Sequence, residues 1–284
     1  MSAPLILATD LDGTMADGSP DDRAELVALL QEADDVRLIY VTGRTPDAAR
    51  ALLARASLPE PDVLIADVGT TVLHGAGPVP VTEIEAELDR LWPGAEAVRA
   101  RLHDVAELTP QEIEAPRRVS YWIEPVRERR GQAAASEPDP FAARAPDDES
   151  LDDQAAAIAD RVAEDAAAAL APLDVDVLVS ANVFLDVLPR GVNKGSTLRR
   201  VLRWLDGDDE HCVVAGDSLN DLALFETGLR GIVVGNCEPA LRARVAHMNQ
   251  VYRARGIGAS GILEGLRHHG HFREASARGD SHGQ

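Results

Sequence analysis

The first part of the chain alternates short apolar runs with segments whose apolar residues recur at helical spacing. Residues 5–10, 36–43 and 62–69 are apolar runs that predict buried strands, because a strand covered on both faces needs no alternating polar residues. The segments between them begin at Ser19 and Thr45, each followed by proline and aspartate, a pattern typical of a helix N-terminus. Strands that alternate with helices predict a mainly parallel sheet.

Beyond about residue 80 the pattern changes to a mixture of helices and antiparallel strands. Val119, Tyr121 and Ile123 occupy alternate positions and so predict one face of an antiparallel strand. Other segments of this region predict helices at 81–91 and 153–171 and strands at 174–181 and 183–189. The predicted fold class is therefore α/β, with a Rossmann-like, mainly parallel sheet as the core and an inserted α+β cap domain.

We predict a division of the chain into core, cap and tail. The core comprises residues 1–80 and 188–271, where the first pattern returns, and the cap comprises residues 81–187. Within the cap, residues 126–153 are rich in Ala, Pro and acidic residues and predict a mobile loop, with a helix in its Ala-rich part as the alternative. Residues 272–284 predict a disordered tail.

Composition argues against several classes of partner. The chain has 284 residues and a formal net charge of −20, which is unfavourable for binding nucleic acid or an anionic membrane, since both attract basic surfaces. No apolar run approaches the ~20 residues that span a bilayer, and the N-terminus lacks the basic region of a signal peptide. Cys212 and Cys237 lie beside apolar runs and predict reduced core thiols, so we expect a cytoplasmic protein.

Polar residues follow the predicted core strands, at the edge where an open parallel sheet binds its ligands. This set comprises Asp10, Asp12, Thr42, Asp217, Asn220 and Asp221. Lys194, the only lysine among 28 lysines and arginines, begins a predicted helix near the same edge. Two explanations stay open: an arginine-rich composition left this lysine by chance, or the position needs a compact ammonium that a planar guanidinium cannot replace.

Four carboxylates at one edge require a cation. Two like charges ~4 Å apart cost about 4 kcal/mol at an effective dielectric of about 20, and Mg²⁺ relieves this because it prefers carboxylate oxygens and keeps waters that phosphate can replace. At such a site Asp10 could attack phosphorus, and Asp12 could give a proton to the leaving oxygen and later take one from water. Gly13 would permit the tight turn that follows.

The segments DLDGT (10–14), TGR (42–44), Lys194 and GDSLND (216–221) resemble the four motifs of haloacid-dehalogenase-like phosphatases that carry the larger α/β cap. The resemblance implies that Asp10 is the nucleophile and Asp12 the acid and base. It implies phosphate contacts from Thr42, Gly43, Lys194 and Asn220. It also implies that Mg²⁺ is held by Asp10, the Asp12 carbonyl and Asp217, with Asp221 in support.

A narrower resemblance is to the sucrose-phosphate phosphatase group, through residues 61–74, 117–125, 185–195 and 216–241. The details WPG (92–94), RRVSY and PRGVNKGSTL are most similar to the phosphatase part of glucosylglycerol-phosphate enzymes. The chain departs from sucrose-phosphate phosphatases at 181–184, where a glycine-rich stretch is expected. The implied substrate is a small phosphorylated glycoside, glucosylglycerol phosphate or sucrose 6-phosphate, with a compatible solute as product and a glycosyl-phosphate synthase as a candidate partner.

Candidate sugar contacts are Arg44, the last residue of the TGR motif, and four cap residues that could equally be ordinary cap structure: Arg118, Tyr121, Asn182 and Asp186. Two alternative functions stay open, a sugar phosphomutase of the same fold and a non-catalytic regulatory protein.

GIGASG (256–261) has dinucleotide-binding spacing but lies outside any βαβ unit, so we expect a loop that leads into a helix. His268, His269 and His271 predict an exposed helix end rather than a metal site.

Overall fold

A computed structural model describes residues 4–33, 35–75, 77–129 and 149–272. The interior of the predicted loop, 130–148, and the predicted tail from residue 273 lie outside the described residues. Within the described part of the chain, no helix combines the length and apolar character needed to cross a membrane.

The described residues form twelve strands and ten α-helices, besides four short π- or 3-10-helical segments. The strands are β1 (Leu5–Thr9), β2 (Val36–Val41), β3 (Val63–Ala66), β4 (Thr71–His74), β5 (Val79–Pro80), β6 (Leu108–Pro110), β7 (Val119–Ile123), β8 (Val175–Ser180), β9 (Phe184–Pro189), β10 (Cys212–Gly216), β11 (Arg230–Val233) and β12 (Val251–Arg253). The helices are α1 (Pro20–Glu32), α2 (Pro46–Ala56), α3 (Thr82–Leu91), α4 (Ala95–Leu102), α5 (Glu124–Arg129), α6 (Glu149–Leu170), α7 (Lys194–Trp204), α8 (Leu222–Phe225), α9 (Pro239–Arg244) and α10 (Ala259–His268).

The larger sheet has eight strands in the order β12-β11-β10-β1-β2-β3-β4-β5. Pairing is parallel from β12 to β3 and antiparallel only at the β3–β4 and β4–β5 pairs, so the prediction of a mainly parallel sheet is confirmed. The edge hairpin β4–β5 and the edge strand β12 were missed in the sequence, because they span only two to four residues and show no resolvable period.

Helices cover both faces of the large sheet because each carries an apolar stripe. Leu26 of α1, Leu53 of α2 and Ile262 of α10 join one buried cluster, and helices α3, α7 and α9 contribute to a second cluster on the other face. The predicted N-caps are present, since Ser19 Oγ accepts from the Asp22 N–H at 3.1 Å and Thr45 Oγ1 accepts from the Ala48 N–H at 3.4 Å. The core is thus a three-layer α/β sandwich.

The smaller sheet has the order β6-β7-β9-β8 and is wholly antiparallel. Val119, Tyr121 and Ile123 share its buried face with residues of α4 and α6, as the alternation predicted. This arrangement confirms the α+β character of the inserted region. The sheet also brings the start of β7 and the end of β9 next to the large sheet, where the predicted site lies.

Three helices differ from the predicted division. Helix α3 falls in the predicted cap, but its Ile84 and Leu88 pack in the cluster that covers the large sheet. The ends of the predicted loop 126–153 are helical, because α5 extends to residue 129 and α6 starts at residue 149. The domain boundaries themselves stay predictions.

Cys212 and Cys237 are buried free thiols, as expected.

Candidate active site

The turn after β1 places the first predicted acidic residues at the carboxyl edge of the large sheet. Asp10 directly follows β1 and is 4% exposed. Gly13 has φ +70, and a Cβ there would lie 2.3 Å from Oδ2 of Asp217. A side chain at Gly13 would therefore displace that carboxylate, so this turn requires glycine both for its conformation and for close approach.

Lys194 lies at the centre of the site. Its Nζ donates to Oδ1 of Asp10 at 2.8 Å, to Oδ1 of Asn220 at 2.8 Å and to Oδ1 of Asp221 at 2.6 Å. These bonds use all three donors of an ammonium whose side chain is 1% exposed. Asn193 and Ser196 form a capping box that fixes the start of α7. The helix start and its cap thus aim the only lysine at the acidic edge.

Three of the four predicted carboxylates cluster. One oxygen each from Asp10, Asp217 and Asp221 lies within 4.8 Å of the others. Asp217 Oδ1 accepts from Thr14 Oγ1 at 3.2 Å, and Asp221 Oδ2 accepts from the N–H groups of Asp217 and Ser218, at 3.1 Å each. Asp221 is therefore already bonded through both oxygens, which leaves Asp10 and Asp217 as the better placed metal ligands.

The electrostatics of this cluster fit a divalent cation. Burial raises the pKa of Asp10 well above its usual value, against the lowering effect of Lys194, and Asp221 and Asp217 raise it further. Burial, followed by the charge of Asp221, raises the pKa of Asp217 to about 8. Both carboxyls are thus costly to ionise without a further positive charge, and a metal ion between them would remove that cost.

Asp12 does not join the acidic cluster through its carboxylate. Its Oδ2 accepts from Arg44 Nε at 2.8 Å and its Oδ1 from Arg44 Nη2 at 2.7 Å, a bidentate pair that is about nine-tenths buried. Asp12 lies at the same edge of the sheet, since its charge is one of the smaller causes, after burial, that raise the pKa of Asp10, but the cluster of three carboxylates does not include it. The Asp12 carbonyl stays a predicted ligand. Arg44, a predicted sugar contact, is instead bound to Asp12.

The predicted phosphate-binding segment follows β2. Thr42 is fully buried, and its Oγ1 accepts from the Arg44 N–H at 3.1 Å. Gly43 O accepts from Nη1 of Arg118 at 2.9 Å, a contact from the smaller sheet that the sequence did not reveal. Nη2 of the same arginine donates to Oδ1 of Asp67 at 2.8 Å. Asp67 follows β3, so the strand-end argument could have found it, yet it was overlooked.

Three of the four predicted sugar contacts in the cap are buried. Arg118, Tyr121 and Asp186 are 5%, 3% and 6% exposed. Tyr121 packs in the core of the smaller sheet, and Asp186 accepts from Ser120 Oγ at 2.5 Å. Asn182 lies in the turn between β8 and β9 with φ +56 and is partly exposed. Among the four predicted cap contacts, Asn182 is the one that is partly exposed.

The GIGASG segment and the C-terminal histidines make packing contacts within the core. The GIGASG loop leads into α10, as predicted, and a Cβ at Gly258 would lie 2.4 Å from the Asp17 carbonyl, so this loop packs tightly on the turn that carries Asp12. His268 stacks on Tyr252 with ring centroids 4.2 Å apart, and His269 Nε2 lies 3.1 Å from Gly231 O at the end of α10.

Comparisons with known proteins agree with this geometry. The family model described as sucrose-6F-phosphate phosphohydrolase matches residues 3–134 and 151–270. A glucosylglycerol-phosphate synthase from Pseudomonas anguilliseptica is 35% identical over 94% of this chain, which spans only 31% of that protein's length. A mannosylfructose-phosphate phosphatase from Agrobacterium fabrum is 30% identical over 93% of this chain and 96% of its own length.

A solved structure extends the likeness to three dimensions. The sucrose-phosphatase of Synechocystis, determined in complex with sucrose and phosphate, superposes with a TM-score of 0.75 at 27% sequence identity. The match covers 94% of this chain and 98% of the sucrose-phosphatase chain, so it includes both sheets.

Proposed function

The chain belongs to the sucrose-6F-phosphate phosphohydrolase family, and from this premise we propose that it hydrolyses a small glycoside phosphate through an aspartyl-phosphate, with Mg²⁺ as cofactor. The observation that carries the proposal is the bonding of Lys194 Nζ to Asp10, Asn220 and Asp221 within 2.8 Å. It supports the proposal because it brings the proposed nucleophile and the proposed metal ligands next to a fixed positive charge in a strongly acidic protein.

In the first step, a carboxylate oxygen of Asp10 attacks phosphorus and the bond from phosphorus to the sugar oxygen breaks. Lys194 offsets the negative charge that would otherwise repel the phosphate, and Thr42, Gly43 and Asn220 hold its oxygens. Asp12 gives its proton to the leaving sugar oxygen. The products of this step are the free glycoside and Asp10 carrying the phosphoryl group.

In the second step, Asp12 takes a proton from water, and the water oxygen attacks phosphorus. The bond between phosphorus and Asp10 breaks, which regenerates the carboxylate and releases inorganic phosphate. In this structure Arg44 binds both oxygens of Asp12, so one of these bonds must break before Asp12 can carry a proton, and the remaining bond orients the proton-transferring group. Asp10, Asp217 and the Asp12 carbonyl would hold Mg²⁺, supported by Asp221. The metal supplies positive charge to the phosphoryl oxygens.

The substrate class rests on the relatives' names and on this chain's acidic character. Glucosylglycerol phosphate and sucrose 6-phosphate are the first candidates, because the similar proteins are named for glucosylglycerol phosphate, mannosylfructose phosphate and sucrose phosphate. The product would then be a compatible solute, made in the cytoplasm. A glycosyl-phosphate synthase is a fitting partner, since the Pseudomonas synthase contains a region similar to 94% of this chain.

The decisive experiment measures phosphate release from a panel of glycoside phosphates, with MgCl₂ and with EDTA. We expect fast release from one or two members only in the presence of Mg²⁺. A phosphomutase would instead convert one sugar phosphate to another and need an activating bisphosphate, with little net phosphate. A regulatory protein would release none from any member of the panel.

A further inference from the structure

The carbonyl groups of Thr42, Gly43 and Arg44 are all bonded from outside their own segment. The Val68 N–H donates to Thr42 O at 3.1 Å and the Asp67 N–H donates to Arg44 O at 2.8 Å. Between them, Gly43 O accepts from Arg118 at 2.9 Å. Because a trans peptide points its N–H opposite to its carbonyl, these bonds also fix the directions of the N–H groups of Gly43 and Arg44. The Arg44 N–H donates to Thr42 Oγ1, so the bond from Arg118 to Gly43 O acts on the orientation of the Thr42 hydroxyl.

Of these three donors, only Arg118 belongs to the region of the smaller sheet. It directly precedes β7, and its side chain is 5% exposed. One guanidinium nitrogen binds the Gly43 carbonyl, and another binds the carboxylate of Asp67, which is fully buried. A planar fork of N–H groups can bind both acceptors at once, whereas a single ammonium on a lysine side chain has no such geometry.

The turn that contains Asp67 is conformationally costly. Asp67 and Val68 have φ of +52 and +60, a region that β-branched residues rarely adopt. The ion pair with Arg118 and the hydrogen bond from Thr71 Oγ1 to Asp67 Oδ2, at 2.9 Å, stabilise it. Without Arg118, the buried carboxylate of Asp67 would lose its counter-charge, and the turn would lose much of what maintains it.

The same turn touches the helix of Lys194. Thr197 Oγ1 on α7 donates to Gly69 O at 2.7 Å. A Cβ at Gly69 would lie 2.6 Å from the carbonyl of Asn193, directly before Lys194. The turn 67–70 therefore contacts two parts of the proposed phosphate site, the segment 42–44 and the start of α7.

We propose that Arg118 is a positioning residue through which the smaller sheet holds Thr42–Arg44 in the geometry that binds phosphate. The inference rests on the proposed function and replaces the sugar contact predicted for Arg118. Because Arg118 acts through Gly43 and Asp67, its loss affects any phosphate ligand, with or without a sugar. A sugar contact would affect only ligands that carry the sugar.

The experiment compares Arg118→Lys with a matched control, Arg117→Lys. Arg117 is equally buried, pairs with Glu85 at 2.8 Å and Asp89 at 2.6 Å, and donates to Thr70 O at 2.9 Å. It therefore also binds the turn 67–70, but among the described residues it has no hydrogen bond to residues 42–44. Calorimetry with inorganic phosphate and MgCl₂ gives a Kd that does not depend on turnover. The rates of hydrolysis of the best glycoside phosphate and of p-nitrophenyl phosphate, which has no sugar, are measured alongside.

We expect Arg118→Lys to weaken phosphate binding about tenfold, the effect of one charge-assisted hydrogen bond, and to lower kcat/KM for both substrates by a similar factor. Arg117→Lys should change each by less than about threefold, because the lysine keeps the charge that faces Glu85 and the bond from Arg118 to Gly43 stays in place. Asp67→Asn should weaken phosphate binding as well, and its effect should not add to that of Arg118→Lys, since the two act through one pair. This second variant keeps the test open if Arg118→Lys folds poorly.

Three results would overturn the inference: an unchanged phosphate Kd in both variants, a loss confined to the glycoside phosphate, or an equal loss in Arg117→Lys. Failure of the proposed function has a different signature. The unaltered protein would then hydrolyse neither substrate, whatever the phosphate Kd of the variants.

Discussion

The ammonium of Lys194 lies 2.8 Å from Oδ1 of Asp10, although 184 positions separate the two residues in the chain. Burial alone would lower the pKa of Lys194, but the charges of Asp10 and Asp221 outweigh it and raise that pKa. The lysine therefore stays charged in a buried place. It provides a fixed positive charge beside Asp10 and Asp221, in a protein whose formal net charge is −20.

Replacing Lys194 with arginine should be severe although the charge is kept. The three acceptors converge on one nitrogen, and the side chain is 1% exposed, so the larger planar guanidinium can neither fit nor reach all three. We expect kcat/KM for phosphate release to fall by about a hundredfold or more, as when a preorganised charged donor is lost. Arg200→Lys on the same helix is the matched control. Near-normal activity of Lys194→Arg would favour chance as the reason for this lone lysine.

Much of this site could be predicted from the sequence because strand ends determine it. Asp10, Thr42 and Asp217 directly follow strands of one parallel sheet, and the parallel topology places those ends at one edge. Family motifs then suggested their roles. The helix cap at Ser19 was predictable for a similar reason, because it depends on residues only three positions apart.

The choice of partners among side chains could not be predicted. Asp12 binds Arg44, and Arg118 binds Asp67 across 51 positions, because rotamers and local packing decide which of several nearby charges pair. Likewise, the apolar stripe of α3 predicts burial but does not say which sheet covers it. These are three-dimensional choices that no periodicity in the sequence records.

Asp10→Asn should abolish phosphate release and leave the fold intact. Asparagine cannot attack phosphorus, so turnover should drop below detection in the same assay. Burial raises the pKa of Asp10, which means that its ionised form is costly in the folded protein. We therefore expect the variant to unfold at the same temperature as the unaltered protein or higher, measured by calorimetry without Mg²⁺. Appreciable residual turnover would remove Asp10 from the role of nucleophile.

Because the pKa of Asp217 is raised, the stability of the metal-free protein should depend on pH. Its value of about 8 lies above the usual 3.8, so the folded protein binds a proton that the unfolded chain releases between these two pH values. The free energy of unfolding of the metal-free protein should therefore fall as the pH rises from about 4 to about 8. Thermal unfolding in EDTA at several pH values measures this, with Asp217→Asn as the variant in which the slope should diminish.

Added Mg²⁺ should oppose this loss of stability. The metal binds the ionised carboxylates, so its affinity should rise over the same pH range. We expect MgCl₂ to increase the unfolding temperature more at pH 8 than at pH 6. NaCl at the same ionic strength distinguishes a specific site from general screening. An equal shift at both pH values would contradict the assignment of Asp217 as a metal ligand.

Substitution of Arg44 distinguishes two roles for this residue, orientation of the acid Asp12 and contact with the sugar. Arg44 binds both oxygens of Asp12, at 2.8 and 2.7 Å. If its role is to orient the acid, Arg44→Gln should lower kcat by about tenfold or more and leave KM nearly unchanged, because that interaction matters in the transition state rather than in substrate binding. Arg37→Gln, on an exposed side chain, controls for the change in net charge. A raised KM with normal kcat, seen with the glycoside phosphate and not with p-nitrophenyl phosphate, would instead return Arg44 to the sugar-binding role predicted from the sequence.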